Sequence, residues 1–248
     1  MPRLRIELQY DGTDFSGWQI QPNASSVQEA FEQALARLNG NEHVELVGCG
    51  RTDAGVHAKH YVAHCDLNVN DTKVLFFKLN SMLPRSISVL SIELTNAQFH
   101  ARFDASKRTY RYFINKNKNP FQDRYAYYLK NQLDIAAMNH ASEYLLGRQD
   151  FESFAKQHSD VRNHYCHIFS AQWTENEEQY IFEITANRFL RNMVRAIVGT
   201  LLEVGLGKNK PSHVATIIAE KNRGAAGSSV PGKGLFLWNI EYPETINK

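Results

Sequence analysis

RLRIELQYDGTDFSGWQIQPNASSVQEAFEQALARLNG, residues 3–40, sets the frame of the chain. Its opening alternates, with Leu4, Ile6 and Leu8 on one side and Arg3, Arg5 and Glu7 on the other. Successive side chains of a strand point to opposite faces, so a half-buried strand is predicted over Arg3–Tyr10. A polar, glycine-bearing loop follows. From Ser26 the period changes: Val27, Phe31, Ala34, Leu35 and Leu38 recur at helical spacing. Ser26 and Glu29 make a capping box and Gly40 is a C-cap candidate, so this segment is predicted as a helix.

Working outward, Val44–Gly50 and Val56–Asp66 read as strands with RTDAG between them. Residues 72–83 read as a helix halted before Pro84, because a proline disfavours helical backbone in the residue ahead of it. Ile87–Leu94 is again a strand. The order is β-α-β-β-α-β, and it recurs. Arg108–Asn115 reads as a strand and Leu133–Leu146 as a helix. Tyr165–Trp173 and Gln179–Ala186 read as a hairpin around TENEE, Arg188–Val204 as a helix and Leu235–Tyr242 as a strand, with an extra helix at Ser212–Lys221. The expected class is α+β, with two ferredoxin-like βαββαβ halves at 1–103 and 104–248. The duplication is one of topology; the letters do not repeat.

Composition narrows the class. At 248 residues the chain holds one large domain or two modest ones of about 100–200 residues each. Hydrophobic residues at 43% and charged residues at 22% argue against wholesale disorder. Lys+Arg of 28 against Asp+Glu of 26 leaves a net charge of only +2, so any nucleic-acid surface must come from local clusters. Cys49, Cys65 and Cys166 are too few and too scattered for a disulfide framework, and free thiols in a reducing compartment are expected. No apolar run reaches the ~18–20 residues of a membrane helix, and the start lacks a signal-peptide core. A cytoplasmic protein with no membrane partner is expected.

Four constellations carry possible chemistry. GCGRTDAGVHA (48–58) is a tight, glycine-flanked turn between strands. Arg51 and Asp53 are two apart and project to one side of extended backbone. A carboxylate beside a guanidinium stays ionised, and an oriented carboxylate is a base or a nucleophile. The plainer reading is that Asp and Gly serve the turn itself. HAKHYVAHC (57–65) tempts toward zinc through His57, His60, His64 and Cys65. Strand alternation puts His57 and His60 on opposite faces, and no zinc signature occurs, so no metal is expected. GSSVPGKG (227–234) imitates a phosphate loop. It has Gly234 where Ser or Thr must hold magnesium and follows a helix instead of a strand, so it reads as an ordinary loop. The fourth is basic and aromatic. KRTYRYFINKNK (107–118) interleaves Lys107, Arg108 and Arg111 with Tyr110 and Tyr112, a pattern that suits base stacking and phosphate contact. In NRFLRNMVRAIVGTLLEVG (187–205), helical projection gathers Arg188, Arg191 and Arg195 in one sector opposite Leu190, Met193, Val194, Ile197 and Leu201. The plainer alternatives are tyrosines that only pack and a helix with a solvated basic side.

Taken together, YDGTDFSGWQIQ (10–21), SVQEAFEQAL (26–35), GCGRTDAGVHA (48–58), LNSMLP (79–84), FHARFDASKRTYRYFI (99–114), DFESF (150–154), NRFLRNMVRAIVG (187–199) and GLFL (234–237) resemble the TruA family of bacterial tRNA pseudouridine synthases nearly end to end. The resemblance implies an isomerase that converts uridine to pseudouridine in the anticodon stem-loop of tRNA, at nucleotides 38, 39 and 40, without cofactor or metal. It implies two halves with antiparallel sheets meeting at a central cleft, and a homodimer. By position, Asp53 matches the family's catalytic aspartate and Arg51 the arginine that helps displace the target base. Tyr110 matches the tyrosine that stacks on the uracil, and Arg195 the arginine that pairs with the catalytic carboxylate. Lys107, Arg108, Arg111, Arg188 and Arg191 are candidates for the RNA backbone. The chain departs from the family at Val230-Pro231-Gly232 and at Ala196, and neither departure is expected to touch the catalytic set.

The implied chemistry needs no external group. The C1′–N1 bond breaks, the uracil turns, and C5 joins C1′. Asp53 could attack C6 of the ring or assist departure of the base at the ribose, and the residues do not choose between these routes. The uridine must leave its stack at a cost of a few kcal/mol, which stacking on Tyr110 and insertion of Arg51 would offset. Arg195 is expected near Asp53, with Arg188 and Arg191 more exposed. Rival classes are an RNA-binding module without catalysis, a P-loop NTPase and a zinc hydrolase.

Overall fold

The computed structural model describes residues 1–157 and 163–243. They form a mixed α+β chain that divides into two compact units, Met1–Ser106 together with the chain from Leu237, and Lys107–Phe236. Among the described residues, no helix is long and apolar enough to cross a membrane.

The first unit runs β1 (Arg3–Tyr10), α1 (Val27–Leu38), β2 (Val47–Gly48), β3 (His57–Asp66), α2 (Thr72–Met82) and β4 (Ile87–Thr95). β1 lies between β4 and β3, and β2 pairs with β3; all these pairings are antiparallel. The alternation in β1 has its expected consequence: Leu4, Ile6 and Leu8 are fully buried, facing Cys65, Ala63 and Tyr61 across the ladder. α1 contributes Val27, Phe31 and Leu35, and α2 contributes Leu75 and Leu79, to the same core. Side-chain caps start both helices, Ser26 accepting the Glu29 N–H at 3.2 Å and Asp71 the Lys73 N–H at 2.7 Å. Gly40 takes the left-handed backbone (φ +65°) just past the end of α1. One expectation shrinks here. The strand foreseen over Val44–Gly50 pairs only at Val47–Gly48, with the Cys49 N–H still reaching the Val62 carbonyl at 2.9 Å; beyond that the backbone serves other partners, Leu46 N–H going to Glu32 and Gly50 C=O to the Tyr61 hydroxyl.

The second unit holds β5 (Lys107–Asn115), β6 (Tyr127–Tyr128), α3 (Ile135–Glu143), β7 (Gly147–Asp150), β8 (Tyr165–Glu175), β9 (Gln179–Ala186), α4 (Met193–Gly205) and α5 (His213–Glu220). Its sheet runs β5-β9-β8-β7, antiparallel throughout, with β6 parallel to β5. Tyr112, Ile114, Phe182, Ile184, Ile168 and Trp173 turn one face of this sheet into core, joined by Met138 of α3 and Ile197 and Leu201 of α4. β10 (Leu235–Glu241) closes the chain; from Leu237 it belongs to the first unit, where it lies beside β3.

Two expectations are corrected in this unit. The helix foreseen over Arg188–Val204 begins only at Met193. Asn192 sits in the left-handed region (φ +66°), the Met193 N–H turns back to the Leu190 carbonyl, and the Arg191 carbonyl accepts the Lys156 N–H. Arg188 and Arg191 are therefore loop residues and share no helical sector with Arg195. Tyr112, expected with Tyr110 on an exposed stacking face, is fully buried, and its hydroxyl donates to the Pro231 carbonyl at 2.9 Å. Burial pushes its pKa far above the usual tyrosine range.

All three cysteines are free and buried. Burial pushes the Cys65 thiol up to about 12 and the Cys166 thiol to about 11.

Candidate active site

The RTDAG turn is built by packing one loop against another. Gly12 and Gly17 of the first loop lie so close to the turn that a side chain would collide with it. A Cβ on Gly12 would fall 2.0 Å from the Val56 carbonyl oxygen, and one on Gly17 2.3 Å from that of Thr52. Gly17 also needs φ +103°, which glycine reaches without strain. Backbone hydrogen bonds stitch the loops together: Trp18 N–H to Thr52 C=O at 3.3 Å and Gly55 N–H to Phe15 C=O at 3.2 Å. Beneath them Trp18 stacks on Tyr61 with ring centroids 4.0 Å apart. The Tyr61 hydroxyl donates to the Gly50 carbonyl, and the hydroxyls of Tyr10 and Thr52 share a bond of 2.9 Å.

That scaffold decides where the two candidate side chains go. Thr52 is buried between an exposed Arg51 and a half-buried Asp53, the alternation that extended backbone gives. Asp53 closes the turn by accepting the Val56 N–H on its carbonyl at 3.2 Å. Arg51 donates its Nε to Gln19 Oε1 at 2.8 Å. Gln19, Tyr10 and Tyr61 lie in quoted motifs but were assigned no role there. The signal that could have found them is their setting, in YDGTDFSGWQIQ and beside the turn on β3.

In the second unit Tyr110 is half-buried on β5, with its ring edge-on to Phe189 at 5.2 Å. Arg195, on the first turn of α4, donates Nε to the Val230 carbonyl at 2.7 Å, and its own carbonyl accepts the Val230 N–H at 3.2 Å. The loop that imitates a phosphate loop is therefore a strap across α4. It is tied by Gly227 N–H to Thr200 Oγ1 at 2.9 Å, Asn192 Nδ2 to Ser229 Oγ at 2.6 Å, and the Tyr112–Pro231 bond. Its Gly232–Gly234 end is a short 3-10 turn. The departure from the family at Val230, expected to leave the site residues untouched, thus lies directly on Arg195, through a backbone carbonyl that its letters do not announce.

The backbone-contact candidates have separate surroundings. Arg111 forms an ion pair with Glu183 at 2.5 Å, Arg108 donates to the Asn187 carbonyl at 2.7 Å, and Lys107 lies 5.7 Å over the Phe169 ring. Arg191 is exposed and Arg188 half-buried. The histidines of β3 each serve a different neighbour. His57 Nδ1 accepts the Gly12 N–H at 3.1 Å, His60 lies 3.5 Å from Glu7 and 3.1 Å from Asn239, and His64 Nδ1 accepts the Ala101 N–H at 3.1 Å. The His60–Glu7 hydrogen bond raises the histidine pKa and lowers that of the carboxylate, and burial pushes His64 down to about 4.

The family model for tRNA pseudouridine synthase matches residues 8–104 and 141–243. The chain belongs to that family. Among curated relatives, the tRNA pseudouridine synthase A of Bacteroides thetaiotaomicron is 50% identical over 250 residues, covering 99% of this chain and 93% of its own. That of Parabacteroides distasonis is 48% identical, covering 99% and 98%. The Bacillus subtilis enzyme is 40% identical, covering 97% and 99%. Arg51 and Asp53 fall in the first matched region and Arg195 in the second, whereas the Tyr110 strand, Lys107–Asn115, lies between the two.

Proposed function

We propose that this chain isomerises uridine to pseudouridine in the anticodon stem-loop of tRNA, with Asp53 as nucleophile on a flipped-out base. Membership of the tRNA pseudouridine synthase family carries the reaction itself. The assignment to Asp53 is supported by its setting: a carboxylate held at a fixed point on a turn that four side chains and two glycines immobilise. Fixing a reacting group in advance removes an entropic part of the barrier. Arg51, exposed and steadied by Gln19, is suited to enter the space an extruded base leaves. Tyr110 and Arg195 are assigned to base stacking and to the counter-charge, and the strap at Val230 supports the latter by orienting the guanidinium.

The step balances without a partner reagent. The C1′–N1 bond breaks and C5–C1′ forms, the hydrogen on C5 leaves as a proton, and N1 takes one up. The same chain reads as two ferredoxin-like halves. The order β1, α1, β2, β3, α2, β4 in the first supports this, and β5, α3, β8, β9, α4 repeats the order in the second as far as its last helix; the closing strand β10 passes into the first unit at Leu237. A cytoplasmic homodimer is the assembly we assign, on the family resemblance.

The test is conversion of an unmodified tRNA transcript labelled with tritium at C5 of uridine. Wild type releases tritium to water and leaves pseudouridine in the anticodon arm. Asp53→Asn binds the transcript with wild-type affinity and releases none. Turnover by Asp53→Asn overturns the assignment of the nucleophile, and an inactive wild type overturns the reaction.

A further inference from the structure

The turn His100–Asp104 is fixed from within and from without. The Asp104 carboxylate accepts the His100 N–H at 2.7 Å, and the Asp104 N–H reaches the His100 carbonyl at 3.0 Å. His100 Nδ1 accepts the N–H groups of Arg102 at 3.2 Å and Phe103 at 3.3 Å. Buried His64 takes the Ala101 N–H, and the Tyr242 hydroxyl donates to the Ala101 carbonyl at 2.6 Å. A turn so over-determined has one shape. Yet that shape holds the Phe103 ring out in solvent, 74% exposed, where it adds nothing to a core. The Arg102 guanidinium lies 5.6 Å over one side of the ring, and the His100 ring is 4.2 Å away. Arg102 also lines, with Arg51, Gln19 and Trp18, a cavity of about 150 Å³. The exposed ring thus stands one residue from the wall of the Arg51 pocket.

We infer that Arg102 and Phe103 form a docking element for an unpaired nucleotide of the RNA substrate, with the base stacking on Phe103 and its phosphate meeting Arg102. This rests on the reading of the chain as a tRNA-modifying enzyme. The chemistry fits a nucleic acid. A flat apolar ring next to a guanidinium matches a base next to a phosphate, and stacking on a side chain requires a base free of its helix. A rigid turn adds to binding because little freedom is lost when the nucleotide arrives. Phe103 sets affinity and position; it takes no part in the bond changes.

The experiment measures KM and kcat of the full chain on an unmodified tRNA transcript, with the transcript's affinity measured separately by filter binding. Phe103→Ala weakens binding roughly five- to hundredfold, the range that loss of one stacked base gives, and raises KM in step. Phe103→Trp keeps wild-type affinity, and Phe103→Leu, apolar but unable to stack, behaves as Phe103→Ala. Arg102→Gln lowers the slope of log affinity against log salt by about 1. Unfolding temperatures stay at the wild-type value, since the ring is exposed. Wild-type affinity in both Phe103→Ala and Phe103→Leu overturns the inference while leaving the isomerase reading in place. A loss of affinity that coincides with a change of oligomeric state in sedimentation also overturns it, because the ring would then be a protein contact. A wild type that makes no pseudouridine sinks the reading beneath.

Discussion

Gly199→Ala alters a residue that no substrate touches, and it is expected to disable the enzyme through Arg195. Gly199 is buried in the middle of α4, where its missing side chain lets the 227–231 strap lie against the helix. A Cβ there would sit 1.8 Å from the Ser228 carbonyl oxygen, where ordinary contact begins near 3.4 Å. The obstruction is a Cβ whose position the helix backbone fixes against a backbone carbonyl, so no rotamer relieves it. The strap must withdraw by about 1.6 Å, the gap between those two distances. Val230, two residues on, holds Arg195 Nε at 2.7 Å, and a withdrawal of that size takes the bond beyond hydrogen-bonding range. Losing a hydrogen bond to a charged group costs about 1.5–3 kcal/mol, and overpacking a core adds about 1–3 kcal/mol. Stability falls accordingly. The larger effect is kinetic, since a displacement of order 1 Å in a positioned group costs about 100-fold. Single-turnover pseudouridine formation at saturating enzyme, run well below the variant's unfolding midpoint, measures it. A variant that is less stable but keeps turnover within twofold of wild type would refute the claim that the strap sets Arg195.

Tyr61→Phe removes the hydroxyl that steadies the Gly50 carbonyl and leaves the stack on Trp18 intact; kcat should fall about tenfold with KM for tRNA unchanged, as read from steady-state kinetics. Gln19→Leu frees Arg51 Nε and should slow conversion, whereas Gln19→Glu, which keeps an acceptor oxygen, should restore it; equal rates for both would remove Gln19 from the site. His64 titrates near 4 in the fold against about 6.5 when unfolded, so the unfolded chain binds more protons between those values. Stability is therefore full above pH 6.5 and declines as pH falls toward 4, by at most about 3 kcal/mol. Urea titrations across that range should show the decline, and His64→Gln should flatten it.

The parts of the fold that could be read in advance are those where one physical signal dominates. β1, β9 and α1 each bury one face, so their periodicity appears directly in the letters. β7 is GRQD and has no apolar signature; it exists because its backbone pairs with β8. The start of α4 misled for the opposite reason. Leu190, Met193, Val194 and Ile197 keep helical spacing across a break that Asn192 makes in the backbone alone. In the candidate site, the placement of Arg51 and Asp53 on either side of buried Thr52 was legible, because extended backbone alternates its side chains. Tyr112 was not distinguishable from Tyr110, since alternation tells which face a residue shares but not how deep the face becomes along the strand. Gln19 and Val230 act through a side-chain oxygen and a carbonyl 32 and 35 residues from the arginines they hold, and nothing local announces such a bond.

The three sequestered sulfhydryls have a practical consequence. Maleimides and iodoacetamides react with thiolate, and burial keeps Cys65 and Cys166 protonated at neutral pH, while Cys49 is equally shielded from reagents. The natural sequence is therefore a silent background for fluorophores and spin labels. One cysteine engineered onto the surface will take a label by itself, with no need to strip the native ones first.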